Sequence, residues 1–349
     1  MTTRLTQVAI TTRKIIRYSI YLVIVLIIGR VLFTLGIGLF NILFPKPPPA
    51  PTVSFGKLPK LPFPEKATTP TFTYKVETAD GTLPKFANQA KVYFMPKPSS
   101  SFVSLDSTIQ KAAGLGFNSE PQKVSDTTYK FTNRDNTSTL EINIINGSFS
   151  ISYDLAVDPS PLSVRPPAPE VAAANVRSYL SNGGVLPEDL TGPTSNVFLK
   201  IQGQSLVPAA SLSEASLVKV NFFRKSYDEF PAVISDPQES NVWFLMSGLT
   251  QREKQVVAAQ FHYFAVDEQQ FSTYPIKTAD EALKELQASS GFIASSGVGN
   301  QGSVTIRKIY LAYYDPGVPT SFYQPVFVFE GDRGFMAYVP AVTLQYYGD

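Results

Sequence analysis

The chain has 349 residues, no cysteine, a single histidine (His262) and a net charge of +2. That composition excludes disulfides, thiolate zinc sites and cysteine nucleophiles, and leaves little material for imidazole metal cages or histidine proton relays. The charge is uneven: Arg4, Arg13, Lys14 and Arg17 give residues 1–17 a charge of +4, Arg30 adds one, and residues 45–66 hold four lysines against Glu65, so residues 67–349 carry −6. A mildly acidic bulk lacks the basic footprint that nucleic acid demands, so no nucleic-acid partner is expected.

Residues 1–17 read as a basic cytoplasmic tail and residues 18–44 as a transmembrane helix. As a helix those 27 residues span about 40 Å, against a hydrocarbon core of about 30 Å. The cationic cluster ahead of them predicts a cytoplasmic N-terminus and extracytoplasmic C-terminal domains, a single-pass protein of the cell membrane. A cleaved signal peptide shares the same order of basic then apolar residues. The length of the apolar run, followed by FPKPPPAP in place of a small-x-small site, favours an uncleaved anchor. Arg30 costs about 2.5–3.5 kcal/mol at a helix centre, which the surrounding apolar residues offset. At helical spacing Arg30, Thr34, Gly38 and Asn41 form one stripe, with Gly29 and Gly36 beside it. Such a stripe is material for contact with another transmembrane helix, from a partner or a second copy. Snorkelling of Arg30 to an interface is the competing reading.

Residues 45–68 are rich in proline and predict a polyproline stalk. Beyond it, period-two alternation marks strands at TFTYKVET and AKVYFM, and SLDSTIQKAAGLGF places Leu105, Ile109, Ala112 and Ala113 on one helical face. TLEINIINGSFSISYDL reads as a hairpin: Leu140, Ile142 and Ile144 alternate into an Asn146-Gly147 type I′ turn, then Phe149, Ile151 and Tyr153. These elements make a first exported α+β domain at 69–156, followed by a linker at 157–169 (VDPSPLSVRPPAP).

A second exported α+β domain is expected at 170–349. PEVAAANVRSYLSNGG is a helix with proline at its start and glycine at its end. Strands follow at NVFLKIQG, SLVKVNFFRK, NVWFLMSG and QVVAAQFHYFAV. In YPIKTADEALKELQASSG, Thr278 and Glu281 form a capping box over a stripe of Ala279, Ala282, Leu283 and Leu286. SVTIRKIYLAYY slips its alternation around Arg307-Lys308, which predicts a bulge. QPVFVFE, the turn at 331–334 and FMAYVPAV close a final hairpin. The fold class is therefore α+β: a single transmembrane helix, then two small domains of antiparallel sheet with packed helices.

The run YPIKTADEALKEL…VTIRKIYLAYYD…FYQPVFVFEGDRGFMAYVPAV resembles the C-terminal region of YycH/YycI-type proteins and the wider PepSY-like folds. The resemblance covers about 70 residues and the plan of anchor followed by tandem domains. It implies a single-pass protein whose exported domains regulate a membrane partner such as a sensor kinase. It brings no catalytic motif, and the FGKLPKLPFP stalk and residues 70–155 depart from the family's pattern.

No catalytic residue, cofactor or metal site is expected. GVGNQG (Gly297–Gly302) matches G-x-G-x-x-G, but a helix is expected before it and a strand after it, where the dinucleotide motif needs a strand and then a helix. His262 alternates with Phe261 and Tyr263 on a strand and reads as structural. Asp280, Glu281 and Glu285 read as a solvated helix face. Asn136 and Asn146 head glycosylation sequons, to which no modification is ascribed. The expected function is non-enzymatic: an extracytoplasmic interaction or regulatory module. The alternative is a cell-envelope structural or wall-binding protein with the sheet as its working surface. A hydrolase would re-enter only if His262 stood beside a carboxylate in a concave pocket.

Overall fold

The computed structural model describes residues 2–43, 49–65, 71–97, 105–203, 205–299 and 302–348, with side chains of the first helix described over 12–37. By contacts the chain divides into two compact units, Met1–Ala50 and Pro51–Asp349.

The first unit is one helix, α1 (Thr2–Leu43). It holds no proline and no acidic residue, so nothing breaks the backbone ladder. Its stretch Thr12–Ile37 holds an 18-residue window of mean hydropathy 2.5, with no side chain buried. At 1.5 Å per residue those 26 residues reach about 39 Å, long enough and apolar enough to cross a membrane.

The second unit is mixed α+β with two open sheets. In chain order its first half holds β1 (Thr73–Val76), β2 (Gln89–Phe94), α2 (Leu105–Gly114), β3 (Gln122–Lys123), β4 (Thr128–Thr132), β5 (Ser138–Asn143) and β6 (Phe149–Tyr153). Then come α3 (Pro169–Asn182), β7 (Thr194–Gln202), β8 (Ser205–Pro208), β9 (Leu217–Phe222), β10 (Ala232–Val233) and β11 (Val242–Met246). The last part runs α4 (Arg252–Gln255), β12 (Val256–Phe261), β13 (Asp267–Pro275) and α5 (Ala279–Gln287). It ends with β14 (Phe292–Ser296), β15 (Ser303–Tyr314), β16 (Phe322–Gly331) and β17 (Phe335–Pro340).

One sheet has nine strands in the order β3-β4-β5-β6-β12-β11-β9-β7-β8. The other has eight: the path β1-β15-β16-β17-β14, with β10 on β15, β2 on β16 and β13 on β2. The α2 and α3 helices cover one face of the nine-stranded sheet, where Ala112, Val176 and Leu180 pack with Leu140, Val220 and Phe244. The α5 helix covers one face of the eight-stranded sheet, where Ala282 and Leu286 pack with Leu311, Phe327 and Val339.

The expected division at 157–169 does not follow the sheets. Strand β6 lies before that segment and β12 after it, yet the two are antiparallel neighbours, Phe149 opposite Phe261. Strands β1 and β2 join β15, β16 and β13 in the other sheet. The physical reason is that pairing with β5 alone leaves β6 with a row of backbone donors and acceptors open, and a strand about a hundred residues away satisfies them.

The stalk expected at 45–68 is, over residues 51–65, part of the fold. Leu58 is fully buried and forms a parallel bridge with Tyr347. Val53 N–H donates to Thr273 O at 3.1 Å, Leu61 N–H to the Tyr347 hydroxyl at 3.0 Å, and Gln324 to Pro59 O at 3.0 Å. Phe63 stacks on Phe292 with ring centres 4.8 Å apart. Proline content excluded helix and central strand correctly; it did not exclude an extended segment laid over a sheet face.

Several local expectations survive intact. The Thr278–Glu281 capping box is present in both directions, and Ala279, Ala282, Leu283 and Leu286 are the buried residues of α5. The register of β15 against β16 shifts between Ile306 and Lys308, the expected bulge. Helix α3 begins at Pro169 and is capped by Gly183. Three details differ. On α2, Thr108 and Ala112 are buried and Ala113 is exposed. The hairpin turn is longer than a two-residue type I′: Asn143 Oδ1 accepts from Ile145 and Asn146, and only Gly147 takes a positive φ. GVGNQG is preceded by β14, not by a helix.

Candidate functional site

The predicted contact stripe lies on α1. Arg30 and Thr34 are exposed, and the Thr34 hydroxyl donates to the carbonyls of Arg30 at 3.0 Å and Val31 at 2.9 Å. That bond satisfies Thr34 within its own helix. Gly38 and Asn41 lie on the helix backbone, outside the described side chains. Beside the stripe, Gly29 and Gly36 leave open space where a Cβ would stand.

Within the second unit, a buried polar cluster sits where the two sheets meet, and sequence reasoning missed it. Arg224 follows β9, Asp189 lies in the loop after α3, and Asp315 follows β15; all three are buried. Arg224 Nη1 donates to Asp189 Oδ2 at 2.7 Å, and its Nε donates to Asp315 Oδ2 at 2.7 Å. Its third nitrogen donates to the Phe264 carbonyl, and the Tyr227 hydroxyl donates to Asp189 Oδ2 at 2.8 Å. Burial disfavours the charged guanidinium, but Asp315 and Asp189 overcome it and hold Arg224 charged well above its ordinary range. The partners lie 35 and 91 positions away in sequence. The one local signal is a charged residue closing each of two apolar strands, NFFR and YYD.

His262 lies beside this cluster, just past the end of β12. Its ring Nδ1 is 3.0 Å from the Gln260 amide nitrogen, and its backbone N–H donates to Asn241 O at 2.9 Å. Burial lowers its pKa, so the ring is neutral at pH 7. A cavity does hold His262 and Asp315 together, but its volume is about 10 Å³, the space of one water. No organic substrate fits there, and the Asp315 carboxylate is already engaged by Arg224.

A second carboxylate organises the approach to the eight-stranded sheet. Asp228 and Glu229 both take positive φ, 48° and 67°, in a tight turn closed by reciprocal Tyr227–Phe230 backbone bonds. Non-glycine residues are strained there. Asp228 accepts from Lys91 Nζ at 2.7 Å, Tyr93 Oη at 2.7 Å and Tyr313 Oη at 3.3 Å, which holds the turn down. Burial and then Asp228 push the Tyr93 hydroxyl pKa up, so it stays a donor.

Ser160 and Lys254 are spaced like a nucleophile and its base, Nζ 3.0 Å from Oγ. Chemistry of that kind needs a neutral lysine. Here Asp158 lies 2.7 Å from Lys254 Nζ and raises the lysine pKa, while Lys254, Tyr153 and Ser160 together lower that of Asp158. The charged ammonium is a donor to Ser160 and cannot take its proton.

The acidic residues of α5 are likewise engaged. Asp280 pairs with Lys284, Glu281 caps the helix, and Glu285 holds the buried Lys277 at 2.7 Å. Among the described residues there is no cluster of three or more His, Asp or Glu placed to bind a metal ion.

No family model matches the chain, and no curated protein matches it. Two solved structures are similar in outline. An uncharacterized protein from Eubacterium rectale shares 14% identity at a TM-score of 0.40, covering 74% of this chain and 84% of that one. The Bacillus megaterium YpeB C-terminal domain shares 12% identity at a TM-score of 0.33, covering 69% of this chain and 94% of that one.

Proposed function

We propose that this is a single-pass membrane protein whose N-terminal helix anchors an extracytoplasmic domain that works by binding another membrane protein. The observation that carries the reading is the Thr12–Ile37 stretch: 26 residues holding an 18-residue window of mean hydropathy 2.5, with no side chain buried. Such a helix needs lipid or another helix to cover it. The catalytic candidates weighed above are tied up in ion pairs, caps or a water-sized cavity, which supports a binding role over a chemical one. The YycH/YycI-like stretch at 274–342 makes a sensor kinase the partner class of choice.

The absence of cysteine makes topology testable by single substitutions. A membrane-impermeant maleimide is expected to label Ser152→Cys in intact cells and Thr3→Cys only after permeabilisation, with the full-length chain retained in the membrane fraction. A chain trimmed after the helix, or the reverse labelling, overturns the anchor. For the partner, in-membrane crosslinking is expected to recover less of it from Arg30→Leu than from the parent chain. Equal recovery removes the helix stripe from the interface.

The wall-binding alternative draws on one feature: Glu141, Ser150 and Ser152 are exposed on the nine-stranded sheet, giving its β5–β6 hairpin a polar outer face. A soluble fragment should start at Pro51, since a start near Ala67 removes the buried Leu58 and Leu61. Retention of that fragment on isolated cell wall supports the alternative.

A further inference from the structure

Asp315 is 6% exposed, and Arg224 uses only its Oδ2. Its Oδ1 is buried and has no hydrogen-bond partner among the described residues. Buried carboxylate oxygens are rarely left unsatisfied, because the lost hydration is not returned. Asp315 also lines the cavity of about 10 Å³, with Arg224, Asn241, His262 and Tyr263 as its other polar walls. That volume admits one water, and the wall supplies the two to four polar partners that a buried water requires.

We infer that this cavity is a binding site for a single structural water, which donates to Asp315 Oδ1 and bridges the two sheets. Asp315 follows β15 of the eight-stranded sheet, whereas Asn241 and His262 flank β11 and β12 of the nine-stranded sheet. A protein bond already crosses at this point, from Asn241 Nδ2 to the Asp315 carbonyl at 3.0 Å. The water adds a second crossing through the side chain. Its chemistry suits the wall: it donates to a carboxylate oxygen and accepts from a guanidinium or imidazole N–H. A bare monovalent cation has the right size and balances the second aspartate. It would, however, share a very small space with the Arg224 guanidinium, whose charge repels it.

The test is diffraction from crystals of the detergent-solubilised full chain, grown once in sodium and once in rubidium chloride. The expected result is one density peak about 2.6–3.0 Å from Asp315 Oδ1, without anomalous signal in rubidium. An anomalous peak there replaces water with a cation and overturns the inference. An empty cavity, with Asp315 Oδ1 turned onto a protein donor, overturns it as well. Thermal unfolding in equimolar sodium, potassium and choline chloride gives an independent reading. Equal midpoints agree with water, and a midpoint raised selectively by one alkali ion contradicts it.

Discussion

Strand β16 of one sheet and the β5–β6 hairpin of the other are buried by different rules. Strand β16 of the eight-stranded sheet runs through seven consecutive buried residues, Tyr323–Phe329. Strands β5 and β6 of the nine-stranded sheet alternate, with Leu140, Ile142, Phe149, Ile151 and Tyr153 in and Glu141, Ser150 and Ser152 out. A strand that is apolar on both faces needs two covers, and one that alternates needs one. The nine-stranded sheet takes α2 and α3 on one face, and on the other its central strands β9, β11 and β12 are covered, where Leu217, Leu245 and Val257 pack with Leu155 and Leu162. The eight-stranded sheet takes α5 on one face, while on the other Leu61 and Phe63 pack with Ala312, Tyr314, Val326 and Tyr338. Its second cover thus comes from a proline-rich segment some 250 residues earlier. An unbroken apolar strand is a demand for a second layer, and that layer need not look like secondary structure.

The largest way to break this arrangement is at the joint. Arg224→Met leaves Asp189 and Asp315 buried without their cation and is expected to cost about 3–5 kcal/mol, measured by urea unfolding. A loss below 1 kcal/mol would show that the cluster does not hold the sheets together. Next is Leu61→Ala, expected to cost about 2–5 kcal/mol if residues 51–65 cover the eight-stranded sheet; a spacer position would cost almost nothing. Thr278→Ala removes the cap of α5 and is expected to cost about 1 kcal/mol, with Thr278→Ser recovering most of it.

The smallest effect concerns pH at the nine-stranded sheet. The folded pKa of Asp158 lies below its ordinary 3.8, so its contribution is full above that value and fades as pH falls through the folded pKa. The folded pKa of Lys254 lies above its ordinary 10.5, so its contribution is full below that and fades as pH rises. Lys254→Met should therefore flatten both limbs of the stability profile slightly. An acid limb identical to the parent's would remove the pair from the account.

What was legible in the sequence was whatever a short window contains. The α5 cap and its stripe, the 306–308 bulge, the 331–334 turn and the apolar helix each depend on neighbours within a few residues. The hairpin at 140–153 was legible in its strands and inward faces but not in its turn or register. A two-residue turn at 146–147 pairs Ile144 with Phe149, whereas the structure pairs Ile142 with Phe149. The Asn143 side chain captured two backbone N–H groups and lengthened the turn. The division at 157–169 rested on composition, which reports stiffness and polarity and says nothing about which strands pair across a gap.

Local patterning and hydropathy by themselves determined the apolar helix, expected at 18–44 and observed as Thr2–Leu43, the α+β class and the inward faces of the strands, since these follow from periodicity and solvent preference. Only the tertiary structure decided that Leu58 and Leu61 belong to the core, that β6 joins β12, and that Arg224 meets Asp189 and Asp315. Each of those needs chain ends or distant strands brought together, and the free energy that selects them is spread over the whole packed interior.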